Sequence, residues 1–278
     1  GFALVLHGDF SVIECVAGRK CGLLGFNFRG VLDNENALAI YLALAMPFVY
    51  IGFRGWEGVV MAAYVTFLVL VTGSRSGTLT AVVTFAALVI MRPDVRRATT
   101  APIRSAIMAT GLAATLAAGL LLPLLIREPD ALSGRAYLWQ IARQELADPA
   151  VFFSGAGMFG WRRLHEIGLV DASAVYSAHN QWLHVLFSTG IIGLSCFLAA
   201  IAILLWQART NGYFLVAACV LVPCFILAAT ERPWPIDTAD WLTWAVPGAL
   251  LCYPFTRPDE PSDSSVESAS SSPNQVSA

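Results

Sequence analysis

The sequence predicts an all-α fold: a polytopic integral membrane helical bundle with a long, partly helical external loop. Two observations support this prediction. Hydrophobic residues make up 57% of the 278 residues and charged residues only 13%, with a mean hydropathy of +0.66, which is too apolar for an ordinary soluble domain. The apolar residues also form runs of about the length that crosses a bilayer as a helix.

Seven apolar runs define a transmembrane domain over residues 36–256, and either Asn34 or Asn36 can cap its first helix. Residues 1–35 combine a short apolar piece, Phe2 to Leu6, with glycines and charged residues, and are interpreted as the tail of a lost helix followed by a surface segment. The start without Met suggests a fragment whose upstream part is missing. Residues 257–278 are rich in Ser, Pro and acids, so a disordered cytoplasmic tail is expected. The spans are predicted at residues 37–53, 58–72, 78–91, 105–126, 179–206, 213–230 and 241–255.

The distribution of arginine predicts the orientation of these spans. Four arginines fall between Arg92 and Arg104, and such clustering in a short loop is typical of a cytoplasmic connection. The loop at residues 127–178 then lies outside, in the periplasm or its equivalent. The turn at Ser74–Gly77 and the start of the fifth span at His179 lie on the same side.

His179 is the candidate general base. It is placed in the first turn of the fifth span, where the helix dipole disfavours the imidazolium cation, and a neutral imidazole can accept a proton near neutral pH. The alternative is an interfacial histidine that caps the helix or binds a lipid headgroup. His184, five residues later, points to a different side and is interpreted as structural.

Arg75 and Arg135 are candidate phosphate ligands. Arg75 lies in a turn between two spans, and the alternative for it is an arginine that extends its side chain to the membrane surface. Arg135 opens an amphipathic helix that could instead lie on the membrane surface with Arg135 at the headgroups. Arg29, Arg162 and Arg163 complete an external basic set that could steer an anionic lipid carrier.

The cysteines and acids indicate no metal site. Cys15 and Cys21 could form a disulfide in an oxidising compartment, whereas the cysteines in apolar runs pack as small hydrophobes. No Cys/His spacing resembles a metal site, and the external acids Asp148, Glu166, Asp171 and Asp237 are interpreted as solvated loop residues. Neither a metal nor a cofactor is predicted. The net charge of −2 gives no indication of nucleic-acid binding.

Five short motifs, in this order and with this topology, resemble the O-antigen ligase and polymerase superfamily. Each is unspecific alone, but the ordered set with a long external loop is specific, and it covers about residues 29–205. The motifs are Asn36-Ala37-Leu38-Ala39, Ser74-Arg75-Ser76-Gly77, Gly134-Arg135 followed by Trp139, Gly155-Ala156-Gly157, and Ala178-His179-Asn180 with Gly190-Ile191-Ile192-Gly193.

The resemblance implies a metal-independent, inverting glycosyltransferase of the bacterial cytoplasmic membrane with its active site on the periplasmic side. Its donor would be an undecaprenyl-diphosphate-linked glycan, and its acceptor lipid A–core, for an O-antigen ligase. By motif, His179 would be the general base, and Arg75 and Arg135 would bind the diphosphate. Asn180 and Arg29 are further candidate substrate contacts. Two guanidiniums can stabilise the charge on a leaving diphosphate without a metal.

Three alternatives remain. A polymerase of the same superfamily would extend a growing glycan, and a protein O-oligosaccharyltransferase would use a Ser or Thr side chain. A non-enzymatic transporter of the lipid-linked sugar would carry ionisable residues in mid-span or broken helices. The spans here are nearly free of charge, which disfavours the transporter.

Overall fold

The structure is a computed structural model, and it describes residues 12–15, 21–32, 34–53, 55–90, 101–170, 178–235, 247–248 and 250. These residues form a helical bundle with one two-stranded sheet, which confirms the predicted helical membrane fold. In chain order, the elements are β1 (Val12–Glu14), β2 (Phe26–Phe28), α1 (Glu35–Gly52), α2 (Trp56–Thr72), α3 (Arg75–Ile90), α4 (Ala101–Leu125), α5 (Arg135–Glu145), α6 (Pro149–Ser154), α7 (Gly160–Glu166), α8 (Gln181–Thr210) and α9 (Phe214–Ala228).

Six apolar helices in the described chain correspond to the first six predicted spans. Three of them, α1, α4 and α8, are long and apolar enough to cross a membrane, and α2, α3 and α9 are shorter apolar helices. Asn34 caps α1 by accepting a hydrogen bond from the backbone N–H of Asn36 at 2.7 Å. The seventh predicted span lies mostly outside the described residues. Arg92, Arg96 and Arg97 lie wholly outside them.

The predicted starts of the third and fourth spans are wrong. Helix α3 begins at Arg75, before the predicted start of the span, because the Ser74 hydroxyl accepts the Gly77 N–H at 3.3 Å and so caps the helix. Arg75 therefore belongs to the first turn of a helix. Arg104, predicted in the cytoplasmic loop, is instead a buried residue of α4.

Helix α9 lies at the centre of the bundle, packed against α1, α3, α4 and α8. It is hydrophobic on every side, and most of its side chains are buried, as expected for a helix surrounded by others. Its C-terminal end points to the same end of the bundle as the N-terminal ends of α3 and α8. The packing of α9 thus determines which distant segments meet there.

The predicted external loop folds into α5, α6 and α7, and α5 and α7 form a second hydrophobic core with the first part of α8. Leu138 and Ile141 of α5 are buried in this core, and the rings of Trp161 and Phe187 lie with centroids 4.7 Å apart. The apolar face of α5 therefore packs on protein, so the alternative of a helix lying on the membrane surface is wrong.

A β-hairpin precedes the bundle, where the sequence predicted only a surface segment. Strands β1 and β2 are antiparallel, with Ile13 opposite Asn27, and Cys15 and Cys21 form the disulfide that the sequence allowed. The hairpin is attached to the end of α2, since the Leu23 N–H donates to the Leu70 carbonyl at 3.2 Å. It therefore lies beside the turn that leads into Arg75.

Candidate functional site

A cavity of about 760 Å³ opens where α3, α4, α5 and α9 meet. Arg75 and Arg135 both line it, although they lie on different helices and far apart in sequence. The other lining residues are Ser76, Leu79, Thr115, Ala118, Leu122, Asp130, Leu132, Ser133, Ile226, Ala229 and Thr230. The structure therefore brings the two predicted phosphate ligands to one cavity.

Arg75 is exposed, and its guanidinium makes no hydrogen bond or ion pair with any residue in the described part of the chain. Its helix starts close against α1, because a Cβ on Gly77 would come within 2.5 Å of the Ala39 Cβ. Only glycine allows this approach at that position. The geometry leaves the charge of Arg75 available to an anion in the cavity.

Arg135 is the first residue of α5, and its side chain is 19% exposed. Its Nη2 donates a hydrogen bond to Oε1 of Glu231, which forms an ion pair between the external loop and the end of α9. This pair fixes the guanidinium at the wall of the cavity.

His179 lies just before the helix, not in its first turn as predicted. Helix α8 begins at Gln181 with Asn180 as its N-cap, and His179 precedes the cap with a φ of 48°. The carbonyl of Ala178 accepts a hydrogen bond from Trp139 Nε1 at 2.7 Å, which holds the segment in place. The imidazole is 38% exposed, and its Nδ1 lies 3.3 Å from Oε2 of Glu231.

Glu231 joins the parts of this site, and no sequence motif singles it out. Its carboxylate is only 6% exposed and interacts with Arg135, His179 and the Ser76 hydroxyl, the last at 3.2 Å. In the sequence it is one acid in a polar turn, 52 residues from His179 and 96 from Arg135. The one available signal is its position directly after the apolar helix α9, at the predicted external surface.

The partners of Glu231 keep it ionised. Burial raises the pKa of this carboxyl group, but the hydrogen bond with His179 and the positive charge of Arg135 outweigh burial, so the pKa is lowered. An ionised carboxylate only accepts hydrogen bonds, so the proton between the two groups belongs to Nδ1 of His179. This tautomer places the lone pair of the imidazole on Nε2, the atom that can act as a base.

Asn180 has a structural role in place of the predicted substrate contact. It is fully buried, and its Nδ2 donates to the carbonyls of Gly119 at 2.8 Å and Ala229 at 2.9 Å. Its Oδ1 accepts the N–H of Leu183 at 2.8 Å. Because the side-chain amide is fully used inside the protein, Asn180 ties the start of α8 to α4 and α9 and so positions the neighbouring His179.

The other predicted basic residues do not line the cavity. Arg29 follows β2 in the hairpin, and its proposed substrate contact stays a prediction. Arg162 and Arg163 are exposed and form ion pairs with Glu166 and Glu145 at 3.5 and 3.6 Å. No group of three or more His, Cys, Asp or Glu that could hold a metal occurs in the described ranges; metal-independent transfer likewise stays a prediction.

The family model for O-antigen ligase matches residues 59–198, half of the chain. The chain belongs to the O-antigen ligase family. The O-antigen ligase match includes Arg75, Arg135 and His179 but ends before Glu231. Membership implies a membrane protein whose substrates are, in general, lipid-linked glycans. Neither the curated proteins nor the solved structures contain a match to this chain.

Proposed function

We propose that this protein transfers a glycan from an undecaprenyl-diphosphate-linked donor to lipid A–core, as an O-antigen ligase. The reaction takes place on the periplasmic face of the bacterial cytoplasmic membrane. The observation that carries the proposal is the carboxylate of Glu231, which connects the imidazole of His179 to a cavity lined by Arg75 and Arg135. These are the groups that glycan transfer from a diphosphate requires.

In the proposed reaction, the acceptor hydroxyl loses its proton to Nε2 of His179 as its oxygen attacks the anomeric carbon of the donor. The bond from that carbon to the diphosphate oxygen breaks, and the electron pair leaves with the diphosphate. Attack from the side opposite the leaving group inverts the anomeric configuration. Proton number and charge balance without any further reactant.

The charged side chains have different roles in this step. Arg75 and Arg135 bind the diphosphate and stabilise the charge that grows on its leaving oxygen, and one such interaction can contribute about 10²–10³ in rate. Glu231 holds the tautomer and orientation of His179 and stabilises the imidazolium that forms, as the aspartate of a Ser-His-Asp triad does. Glu231 also fixes Arg135 and Ser76, so one carboxylate positions both the residues that bind the diphosphate and the residue that accepts the proton.

The disulfide supports the periplasmic location. Structural disulfides persist in oxidising compartments, and the hairpin that carries Cys15–Cys21 is attached to the end of α2 beside Arg75. The arginine-rich loop that follows α3 in the sequence independently favours the opposite side for the other end of that helix.

The test is transfer by the purified protein from a defined undecaprenyl-diphosphate-linked glycan to lipid A–core. We expect His179→Ala to lower kcat by about 10²–10⁴, the usual contribution of an oriented base. His165→Ala is the matched control, since His165 is a half-buried imidazole of α7 that bonds the Val170 carbonyl at 2.9 Å away from the cavity.

The outcomes separate the alternatives. Undiminished transfer by the His179→Ala protein would refute its role as base. Product on a growing glycan or on a Ser or Thr side chain, with none on lipid A–core, would replace the ligase by a polymerase or a protein glycosyltransferase. Movement of labelled carrier across liposomes without a new glycosidic bond would replace transfer by transport.

A further inference from the structure

The segment after α9 has buried backbone groups that no helix or strand satisfies. Residues 229–235 pass through Glu231 without regular secondary structure. Trp234 lies between Pro233 and Pro235 and is only 2% exposed. Proline has no N–H, and it cannot continue a helix or a central strand. The buried N–H and C=O groups of Trp234 therefore need partners from another part of the protein.

The side-chain amide of Gln181 binds both of these groups. Its Oε1 accepts the Trp234 N–H at 3.0 Å, and its Nε2 donates to the Trp234 carbonyl at 2.8 Å. A glutamine amide has an acceptor and a donor side by side, so it pairs with a backbone residue as a neighbouring strand does. Gln181 is the first residue of α8 and is fully buried. It thus ties the start of α8 to the segment that follows Glu231.

Asn180 holds the same segment on the other side of Glu231. Its Nδ2 donates to the carbonyl of Ala229, two residues before Glu231, at 2.9 Å. The amide of Gln181 binds three residues after Glu231. Both amides belong to the residues that directly follow His179 in the chain. The segment that carries the carboxylate is therefore held, before and after it, by the two neighbours of the imidazole.

His184 provides a further contact one helical turn later. Nη1 of Arg232 lies 3.2 Å from Nε2 of His184, and His184 is fully buried. Because a guanidinium only donates hydrogen bonds, the imidazole nitrogen is the acceptor. The first turn of α8 therefore contacts the residue directly after Glu231 as well, and the segment has little freedom to move relative to the helix.

We infer that Gln181 is a positioning residue that holds the carboxylate of Glu231 against Nδ1 of His179. This inference rests on the proposed function, which makes His179 the base. Gln181 does not line the arginine-lined cavity, so it acts through protein groups alone. The distance from Nδ1 to Oε2 is 3.3 Å, slightly beyond the usual range of a hydrogen bond. A small displacement of the segment is enough to break this contact.

The first test reads the tautomer of His179 and needs no turnover. Gln181→Met keeps the length of the side chain but removes both hydrogen bonds to Trp234. Nitrogen NMR spectroscopy with isotope-labelled histidine, in mildly alkaline buffer, distinguishes the two tautomers of a neutral imidazole, and the His179→Ala protein assigns the signals. We expect the proton on Nδ1 in the unsubstituted protein, and a mixture of tautomers in Gln181→Met. An unchanged Nδ1–H tautomer in Gln181→Met would overturn the inference.

The control for both tests is Thr189→Val, also on α8. The Thr189 hydroxyl donates to the Val185 carbonyl of its own helix at 2.8 Å, so its loss removes a hydrogen bond without touching the segment after α9. We expect the His179 spectrum and kcat to be unchanged. A change equal to that of Gln181→Met would show a general effect on the fold and would overturn the inference.

Gln181→Glu provides a second variant if Gln181→Met yields too little folded protein. Its carboxyl oxygen still accepts the Trp234 N–H, but an ionised carboxylate has no hydrogen to donate to the Trp234 carbonyl. We expect the same change in the tautomers of His179 to a smaller extent. A spectrum identical to that of the unsubstituted protein would count against the inference in the same way.

The second test is a double-mutant cycle on transfer. We expect Gln181→Met to lower kcat by about 10- to 100-fold, the scale of a small misplacement at a catalytic group. In the Glu231→Gln background it should lower kcat no further, because the carboxylate that it positions is already absent. Multiplying effects would overturn the inference. Absence of transfer by the unsubstituted protein would refute the proposed function, whereas the NMR comparison would still decide whether Gln181 holds the carboxylate, so the two can fail separately.

Discussion

At the scale of single residues, the carboxylate of Glu231 contacts an imidazole, a guanidinium and a hydroxyl from three separate segments. Its charge determines which nitrogen of His179 carries the proton. An amide in its place has an oxygen that accepts and a nitrogen that donates, so it can bind His179 in either tautomer. The ionised carboxylate permits only the productive one.

We therefore expect Glu231→Gln to lower kcat for glycan transfer by about 10² or more, as loss of the orienting carboxylate does in a catalytic triad. The measurement is steady-state transfer at neutral pH. Glu166→Gln serves as the control, because Glu166 forms only an exposed pair with Arg162. Full activity of the Glu231→Gln protein would show that the carboxylate does not orient the base.

The Glu231→Gln variant also tests whether the ionised carboxylate of Glu231 stabilises the folded protein. Because the pKa of Glu231 is lowered in the folded protein, its contribution to the free energy of unfolding is fully present above the unfolded value of about 4.3. The contribution is lost as pH falls through the lower folded pKa. Acidification from about pH 6 to about pH 3 should then lower Tm less in Glu231→Gln than in the unsubstituted protein.

At the scale of elements, α8 is two helical segments separated by Gly190, which has φ 68° and ψ −175°. The break frees the carbonyls of Phe187 and Ser188, which accept hydrogen bonds from Ala156 at 2.7 Å and Gly157 at 3.1 Å. The N–H groups of the glycine-rich turn after α6 therefore pair with the carbonyls that the break in α8 leaves without a partner inside the helix. This contact anchors the external loop to the helix that follows His179.

Gly190→Ala should destabilise the protein. The backbone conformation at this position is open essentially to glycine only, and a Cβ there would overlap the Phe153 carbonyl; we expect a cost of about 1–3 kcal/mol from the backbone alone. Thermal unfolding in detergent measures it as a lower Tm. Gly111→Ala, in a helical site with open space, should leave Tm unchanged or raise it. Equal Tm values for the two variants would contradict the account.

At the scale of the whole molecule, the proposed reaction requires one orientation of the bundle. The N-terminal ends of α3 and α8, the C-terminal end of α9 and the external loop must all face the side where the acceptor is found. The opposite end includes the short turn after α8, which contains Asn211 and follows Arg209. The charge rule predicts a cytoplasmic position for that turn.

Cysteine labelling tests this orientation in a background in which the cysteines other than Cys15 and Cys21 are replaced by alanine, namely Cys196, Cys219, Cys224 and Cys252. We expect Glu166→Cys to react with a membrane-impermeant maleimide in intact spheroplasts. Asn211→Cys should react only after the membrane is permeabilised. Both positions are exposed, so the difference reports sidedness, and the reverse pattern would invert the topology.

The sequence by itself determined the class of this protein, the first six helices and the shared side of Arg75, Arg135 and His179. Those properties depend on local composition and on the charge of short loops, which can be read without knowing how helices pack. The family resemblance was also visible, because its motifs are local and ordered.

Only the tertiary structure decided how the site is held together. Glu231 could not be found from spacing, because its partners are brought to it by the packing of α9, across 52 and 96 residues of chain. For the same reason Asn180 was predicted at the substrate, although its amide binds α4 and α9. A side chain's neighbours in a bundle depend on which helix faces meet, and the apolar pattern of a helix buried on every side does not specify them.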